Sequence, residues 1–179
     1  IQELLDFAHL GILPIQRQRI SLTLLAREAL SELLLNEPER IVHVTLADLP
    51  QVEVDPVLFK HVFIDLLGNA LKFSQERKET HIELGFDRRK DKVVYYVRDN
   101  GIGFDIQHAD MLFGVFQRLH AAEEYPGVGL GLARTRQIIN RHGGQIWAEA
   151  EPGEGATFYF TLPEELDNSQ TAENSTPGN

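Results

Sequence analysis

A chain of 179 residues with a formal net charge of −10 has no basic excess with which to displace the counterions of a nucleic-acid backbone, which excludes that class of partner. No apolar run approaches the roughly 20 residues that cross a bilayer, so membrane contact is not expected. The absence of cysteine rules out disulfides and thiolate metal sites, which suits a cytoplasmic protein of one domain with short appendages.

The chain opens without methionine and inside a helical pattern, Ile1, Leu4, Leu5 and Ala8, which Gly11 and Pro14 close. It reads as a piece of a longer protein. Ser21 is placed to cap a helix running to about Asn36, with Leu22, Leu25, Ala29 and Leu33 as its buried stripe. Residues 41–46 and 51–54 read as strands. Asp55 and Pro56 then supply an N-cap and a proline at the first helical position, predicting a helix to about Phe73. Strands follow near 80–87 and 92–98. Residues 106–128 lack steady periodicity and carry Gly114, Pro126 and Gly127, the pattern of a functional lid. A helix over 131–141 ends at Gly143 and Gly144, and strands near 145–150 and 156–162 complete the order. Trp147, Phe158 and Phe160 read as core. The tail has almost nothing apolar to bury and is expected to be disordered. The sum is an α+β protein, a two-layer α/β sandwich whose mixed sheet is covered by about three helices.

Four stretches carry chemistry: L-G-N-A-L-K-F at 67–73, D-N-G-I-G-F at 99–104, F-Q-R-L-H at 116–120 and G-V-G-L-G-L at 127–132. On the helix over 55–73, Asp65, Asn69 and Lys72 share one face, while Phe59, Val62, Phe63, Leu66 and Ala70 supply the other. Asn69 offers an amide oxygen suited to Mg²⁺, and Lys72 a compact cation for phosphate. Asp99 accepts hydrogen bonds only, so facing the N6 amine of adenine it would select that base over guanine. Gly101 and Gly103 would let backbone approach the base. Gly127, Gly129 and Gly131 precede a helix whose first amides are unpaired, a place for phosphate oxygens, yet neither the Walker lysine nor the dinucleotide spacing is present. Taken singly these features also describe a solvated helix face, a hairpin turn and an ordinary glycine loop. Gly153, Gly155 and Thr157 divide evenly between a nucleotide-facing loop and a tight turn. Phe113 and Phe116 read as anchors of the lid, and none of the seven histidines stands at metal-ligand spacing with another.

In order and spacing, the four stretches resemble the ATP-binding domain of sensor histidine kinases from about residue 20 to 164, the family that shares its nucleotide fold, the Bergerat or GHKL fold, with gyrase B, Hsp90 and MutL. The lid motif F-Q-R-L-H, an acidic stretch and then P-G-V-G-L-G-L-A are similar to the subgroup containing bacterial phytochromes. The resemblance implies Mg²⁺ and ATP as cofactors, with Asn69 as metal ligand. Lys72, Phe73, Asp99, Gly101, Gly103, Gly127, Gly129, Leu130 and Gly131 would complete the nucleotide site. Asn69, Lys72 and Arg118 would act in catalysis, Arg118 reaching the γ-phosphate from the lid. The phosphoryl group would pass to a histidine on the dimerisation and phosphotransfer hairpin of a homodimeric parent, and then to a response regulator. On this reading residues 1–19 are the end of that hairpin and a linker, 20–164 the catalytic domain and 165–179 a tail. The family's acceptor histidine precedes an acidic residue, whereas His9, His61 and His108 precede Leu10, Val62 and Ala109, so the chain should lack its own phosphorylation site. The family pattern has a second asparagine where this chain has Asp65, a carboxylate that would either assist the metal or repel phosphate. A degenerate sensor that acts by docking, a serine-directed kinase of the anti-sigma type and an ATP-driven clamp with a following transducer are the alternatives.

Overall fold

The computed structural model describes residues 10–117 and 129–163, with Leu5 and Phe7 ahead of them. Most of the helix expected at the start of the chain, much of the lid and the expected disordered tail lie outside the described residues.

Strand β1 (Gln18–Ser21) leads into helix α1 (Leu22–Leu34), and β2 (Val42–Leu46) and β3 (Gln51–Val54) precede the long helix α2 (Pro56–Phe73). Strands β4 (Thr80–Arg89) and β5 (Lys92–Asp99), a 3-10 helix (Ile106–Met111), helix α3 (Gly131–Arg141) and strands β6 (Ile146–Glu151) and β7 (Gly155–Thr161) follow. The caps fall where the sequence places them. Ser21 Oγ accepts from the Leu24 amide at 3.4 Å, and Asp55 Oδ1 accepts from Val57 and Leu58 at 3.1 and 3.2 Å. Asp55 also ties together distant parts of the chain, accepting from the Gln16 amide at 2.9 Å while its own amide donates to Nε2 of the buried His142 at 3.0 Å.

The main sheet has the order β2-β4-β5-β7-β6, with β2 parallel to β4 and the remaining neighbours antiparallel. This bears out the mixed sheet and the α+β class. Strand β1, which the sequence did not announce, pairs with β3 in a separate two-stranded ribbon, Gln18 opposite Val54. Helix α2 lies between α1 and α3 on one face of the sheet. Its Gly68 sits against α1, where an added Cβ would meet Leu33 Cδ2 at 3.7 Å.

Period-two alternation decides which sheet residues meet the helices. Val93, Tyr95 and Val97 of β5 are buried, and register sets Tyr95 beside Phe160 and Val97 beside Phe158. Phe59, Phe63 and Phe160 have no exposed surface, and each contributes roughly 2–3 kcal/mol by burial. Trp147 departs from expectation. It is only half-buried and stacks on Tyr159 on the outer face, at 5.5 Å between ring centroids, because inward positions of β6 fall on Ile146 and Ala148. Among the described residues, no helix is long and apolar enough to cross a membrane.

Candidate functional site

The alternation that buries Val93, Tyr95 and Val97 continues by one step to Asp99, so a carboxylate ends an otherwise apolar row. Asp99 is 7 % exposed. Burial pushes its pKa up to about 6, while the backbone amides of Gly101 and Ala156 donate to it and pull the other way. The Gly101 amide lies 2.8 Å from Oδ1. A carboxylate held there is ionised at neutral pH and able to accept from a donor arriving at the loop.

That loop is pinned to the end of α2. Ile102 donates to the Phe73 carbonyl at 2.9 Å, and a Cβ on Gly101 would fall 2.6 Å from the same oxygen. Glycine is therefore required at 101 by close approach, and Gly103 by its φ of +62°. Gly155, with φ +115°, lies so close to the Asp99 carbonyl that a side chain would overlap it. Gly153 closes the turn by donating to the Ile102 carbonyl at 2.7 Å. The two glycines thus serve a tight turn that abuts the Asp99 loop. Thr157 points to the opposite face of the sheet, where Arg98 Nε donates to its hydroxyl at 3.3 Å.

Helix α2 fixes the distance between the two ends of the site. Near Phe73 stands the Asp99 loop, and at Asp65 stands the start of α3, since a Cβ on Gly131 would meet Asp65 Oδ1 at 3.2 Å. The eight residue steps from Asp65 to Phe73 span about 12 Å of helix axis. Asn69 and Lys72 fall between, half-buried, on the face opposite the core residues Phe63, Leu66 and Ala70. Lys72 Nζ lies 4.7 Å from the Phe73 ring centroid. At the far end Gly129 takes φ +76°, Leu130 is buried, and α3 begins with no side-chain cap hydrogen bond. Among the described residues no side-chain cap therefore occupies the leading amides of α3, which begins beside Asp65.

The structure thus sets Asn69, Lys72 and Phe73 along one stretch of α2, with Gly101 of the Asp99 loop against its Phe73 end and Gly131 beside Asp65, while Gly103 packs on the β6–β7 turn and Gly129 and Leu130 lead into Gly131. Arg118 and Gly127 lie outside the described residues. Phe113 is buried against Phe158, as expected of an anchor, with ring planes at 87°. Phe116 is not: it is 55 % exposed and takes φ +60°, its amide donating to the Gly129 carbonyl at 3.1 Å.

Three participants escaped the sequence reading. Arg134 of α3 makes a two-point ion pair with Asp65, Nε to Oδ2 at 2.9 Å and Nη2 to Oδ1, and Thr135 adds a contact at 3.3 Å. Burial raises the Asp65 pKa, and Arg134 and Thr135 pull it back. His61, on the same row of α2, is held below its usual pKa by burial and then by Arg134. Arg77 donates to the carbonyls of Asn100 at 2.8 Å, Gly101 at 3.0 Å and Gly153, stitching the Asp99 loop to the β6–β7 turn. No local motif marks Arg134 or Arg77, because each acts on residues far away in sequence.

Residues 54–166 match the family described as histidine kinase-, DNA gyrase B-, and HSP90-like ATPase. The phytochrome-like protein Cph1 of Synechocystis is 41% identical over 141 residues, covering 76% of this chain and 19% of the relative. The adaptive-response sensory kinase SasA of Thermosynechococcus vestitus is 37% identical over 154 residues, covering 84% of this chain and 40% of the relative. The chain thus spans about a fifth of the phytochrome-like relative and less than half of the sensory kinase. Among solved structures, the catalytic domain of histidine kinase ThkA superposes with a TM-score of 0.68 at 25% identity, covering 83% of this chain and 97% of that one.

Proposed function

This chain belongs to the histidine kinase-, DNA gyrase B-, and HSP90-like ATPase family, and from that premise we propose that it is the ATP-binding catalytic domain of a sensor histidine kinase. The observation that carries the reading is the line of groups along α2, from the buried Asp99 carboxylate beside Phe73 to the uncapped start of α3 beside Asp65. Its two ends differ in chemistry as the two ends of ATP do.

Asp99, ionised, accepts from the exocyclic amine of adenine and leaves a guanine carbonyl facing a negative charge. Gly101 and Gly103 let the loop pack against Phe73 and the β6–β7 turn, which holds Asp99 in place for the base. The amides at the start of α3, with Gly129 before them and Gly131 opening the helix, hold phosphate oxygens. Asn69 presents its amide oxygen between the two ends, where it would carry Mg²⁺, and Lys72 neutralises phosphate charge next to it. Bound MgATP supplies an activated γ-phosphoryl group with part of its charge already balanced. The role of Arg118, as a cation that steadies the transferring group, rests on the motif F-Q-R-L-H.

The phosphoryl acceptor is a histidine on a dimerisation hairpin of the parent protein, with residues 1–19 its last part, 20–164 the catalytic unit and 165–179 a tail. A response regulator takes the group onward, in the cytoplasm. The 41% identity to a phytochrome-like protein supports a parent of that kind.

Calorimetric titration with ATP, ADP and GTP, with and without Mg²⁺, tests the site: saturable adenine-selective binding is expected, and equal affinity for GTP would contradict the role of Asp99. Incubation with MgATP alone should leave the chain unlabelled, whereas an added intact hairpin should become labelled on histidine. Labelling of serine on an added substrate would instead favour the serine-directed alternative, and nucleotide binding without any transfer the docking module.

A further inference from the structure

Strands β2 and β4 are the parallel pair of the main sheet, and their register sets His43 directly beside His81. The two imidazoles stack, with ring centroids 4.8 Å apart and planes 18° apart. Glu79, just before β4, brings one carboxylate oxygen to both: Oε2 lies 3.3 Å from His43 Nε2 and 3.8 Å from His81 Nε2. The potential ligand atoms of all three residues lie within 4.8 Å of one another. This overturns the expectation that no histidine stands at metal-ligand spacing with another. The two are far apart in sequence and only the parallel register joins them.

We propose that His43, Glu79 and His81 form a binding site for a divalent transition-metal ion of the Zn²⁺, Ni²⁺ and Cu²⁺ class. Two imidazole nitrogens and one carboxylate oxygen are the ligand set that favours these ions over Mg²⁺ and Ca²⁺, which take oxygen. Metal-ligand bonds of about 2.0–2.2 Å in a tetrahedral arrangement put neighbouring ligand atoms roughly 3.3–3.6 Å apart. The two carboxylate-to-imidazole separations already approach that range, and the rings can turn to close the third because all three side chains are about half exposed. The backbone beneath them is fixed. The Asn100 side chain accepts from the His81 amide at 2.9 Å and donates to the Glu79 carbonyl at 3.0 Å, so two of the three ligands hang from a strapped segment. That holding lowers the ordering cost of closing around an ion. The fourth position faces solvent and takes water or a ligand from outside. A bound ion would clip the edge strand β2 to β4.

The test is calorimetric titration of untagged, chelator-treated protein with Zn²⁺, Ni²⁺ and Cu²⁺ separately, with Mg²⁺ as the control ion. One equivalent of a transition ion is expected to bind, with a rise in melting temperature, and Mg²⁺ is expected to do neither at this position. His43→Ala and His81→Ala should each weaken binding at least about tenfold, since each removes one of three ligands. Glu79→Gln provides an independent variant with a smaller loss. Bound Cu²⁺ should show coupling to two imidazole nitrogens in its paramagnetic resonance spectrum, reduced to one in either histidine variant. Absence of saturable binding by all three ions, or affinity unchanged by both histidine substitutions, would overturn the proposal. Unchanged melting of the metal-free variants shows that the substitutions leave the fold intact.

Discussion

The Arg134 guanidinium and the Asp65 carboxylate meet through two hydrogen bonds between α3 and α2, at the point where α3 begins. A carboxylate that stood alone so near the proposed phosphate site would repel its ligand. Paired with arginine it is neutralised, and it also locks the two helices together. The Asp65 carboxylate is thus answered by a cation from another helix.

This pairing predicts an asymmetry in stability. Arg134→Met leaves the Asp65 side chain, 7% exposed, without its partner and should cost about 3–5 kcal/mol. Asp65→Asn leaves Arg134, 23% exposed, with a path to water and should cost only about 1–2 kcal/mol. Urea denaturation of both variants measures this, and equal losses would show that the pair is not the origin.

Asp99→Asn is expected to abolish ATP binding while stabilising the nucleotide-free protein, because the native carboxylate is ionised against the preference of its buried surroundings. Its pKa of about 6 lies above the ordinary 3.8. Between those values the folded state keeps a proton that the unfolded state has lost, so the contribution of Asp99 to stability is fully present below about pH 4 and declines as pH rises through about 6. The total is roughly 3 kcal/mol. Affinity for ATP runs the other way, falling about tenfold per pH unit below the Asp99 pKa. Thermal melts and ATP titrations of the native protein across this range should show opposite slopes, and the slope of the melts should vanish in Asp99→Asn.

Asn69→Ala should weaken binding of ATP in the presence of Mg²⁺ more than in its absence. Titrations with and without the ion make the comparison, and equal losses would count against Asn69 as the metal ligand.

Arg77→Met should lower ATP affinity by roughly tenfold through a loosened Asp99 loop. The carbonyls it releases can turn to water, so the global cost should be only about 1 kcal/mol. Arg77→Lys should recover part of the affinity, because a single ammonium cannot span three carbonyls. A loss of stability of about 3 kcal/mol or more would make Arg77 a general structural residue instead.

Sequence alone determined the elements whose cause is local. Asp55 and Pro56 start α2, Gly143 with φ +84° follows the end of α3, and the alternation through Val93, Tyr95 and Val97 carries Asp99 to the inner face. The order of Asn69, Asp99 and the glycine turn was legible for the same reason, since spacing along one helix or strand is written in neighbouring residues. Tertiary structure alone decided the pairs that span the chain: β1 with β3, Asp65 with Arg134, His43 with His81, and Arg77 with the Asp99 loop. Each depends on the register and packing of separate elements, and a free energy that arises only when distant segments meet leaves no periodic trace in either of them. Trp147 marks the boundary, since size and hydrophobicity suggest core, while one step of strand phase puts it on the outer face.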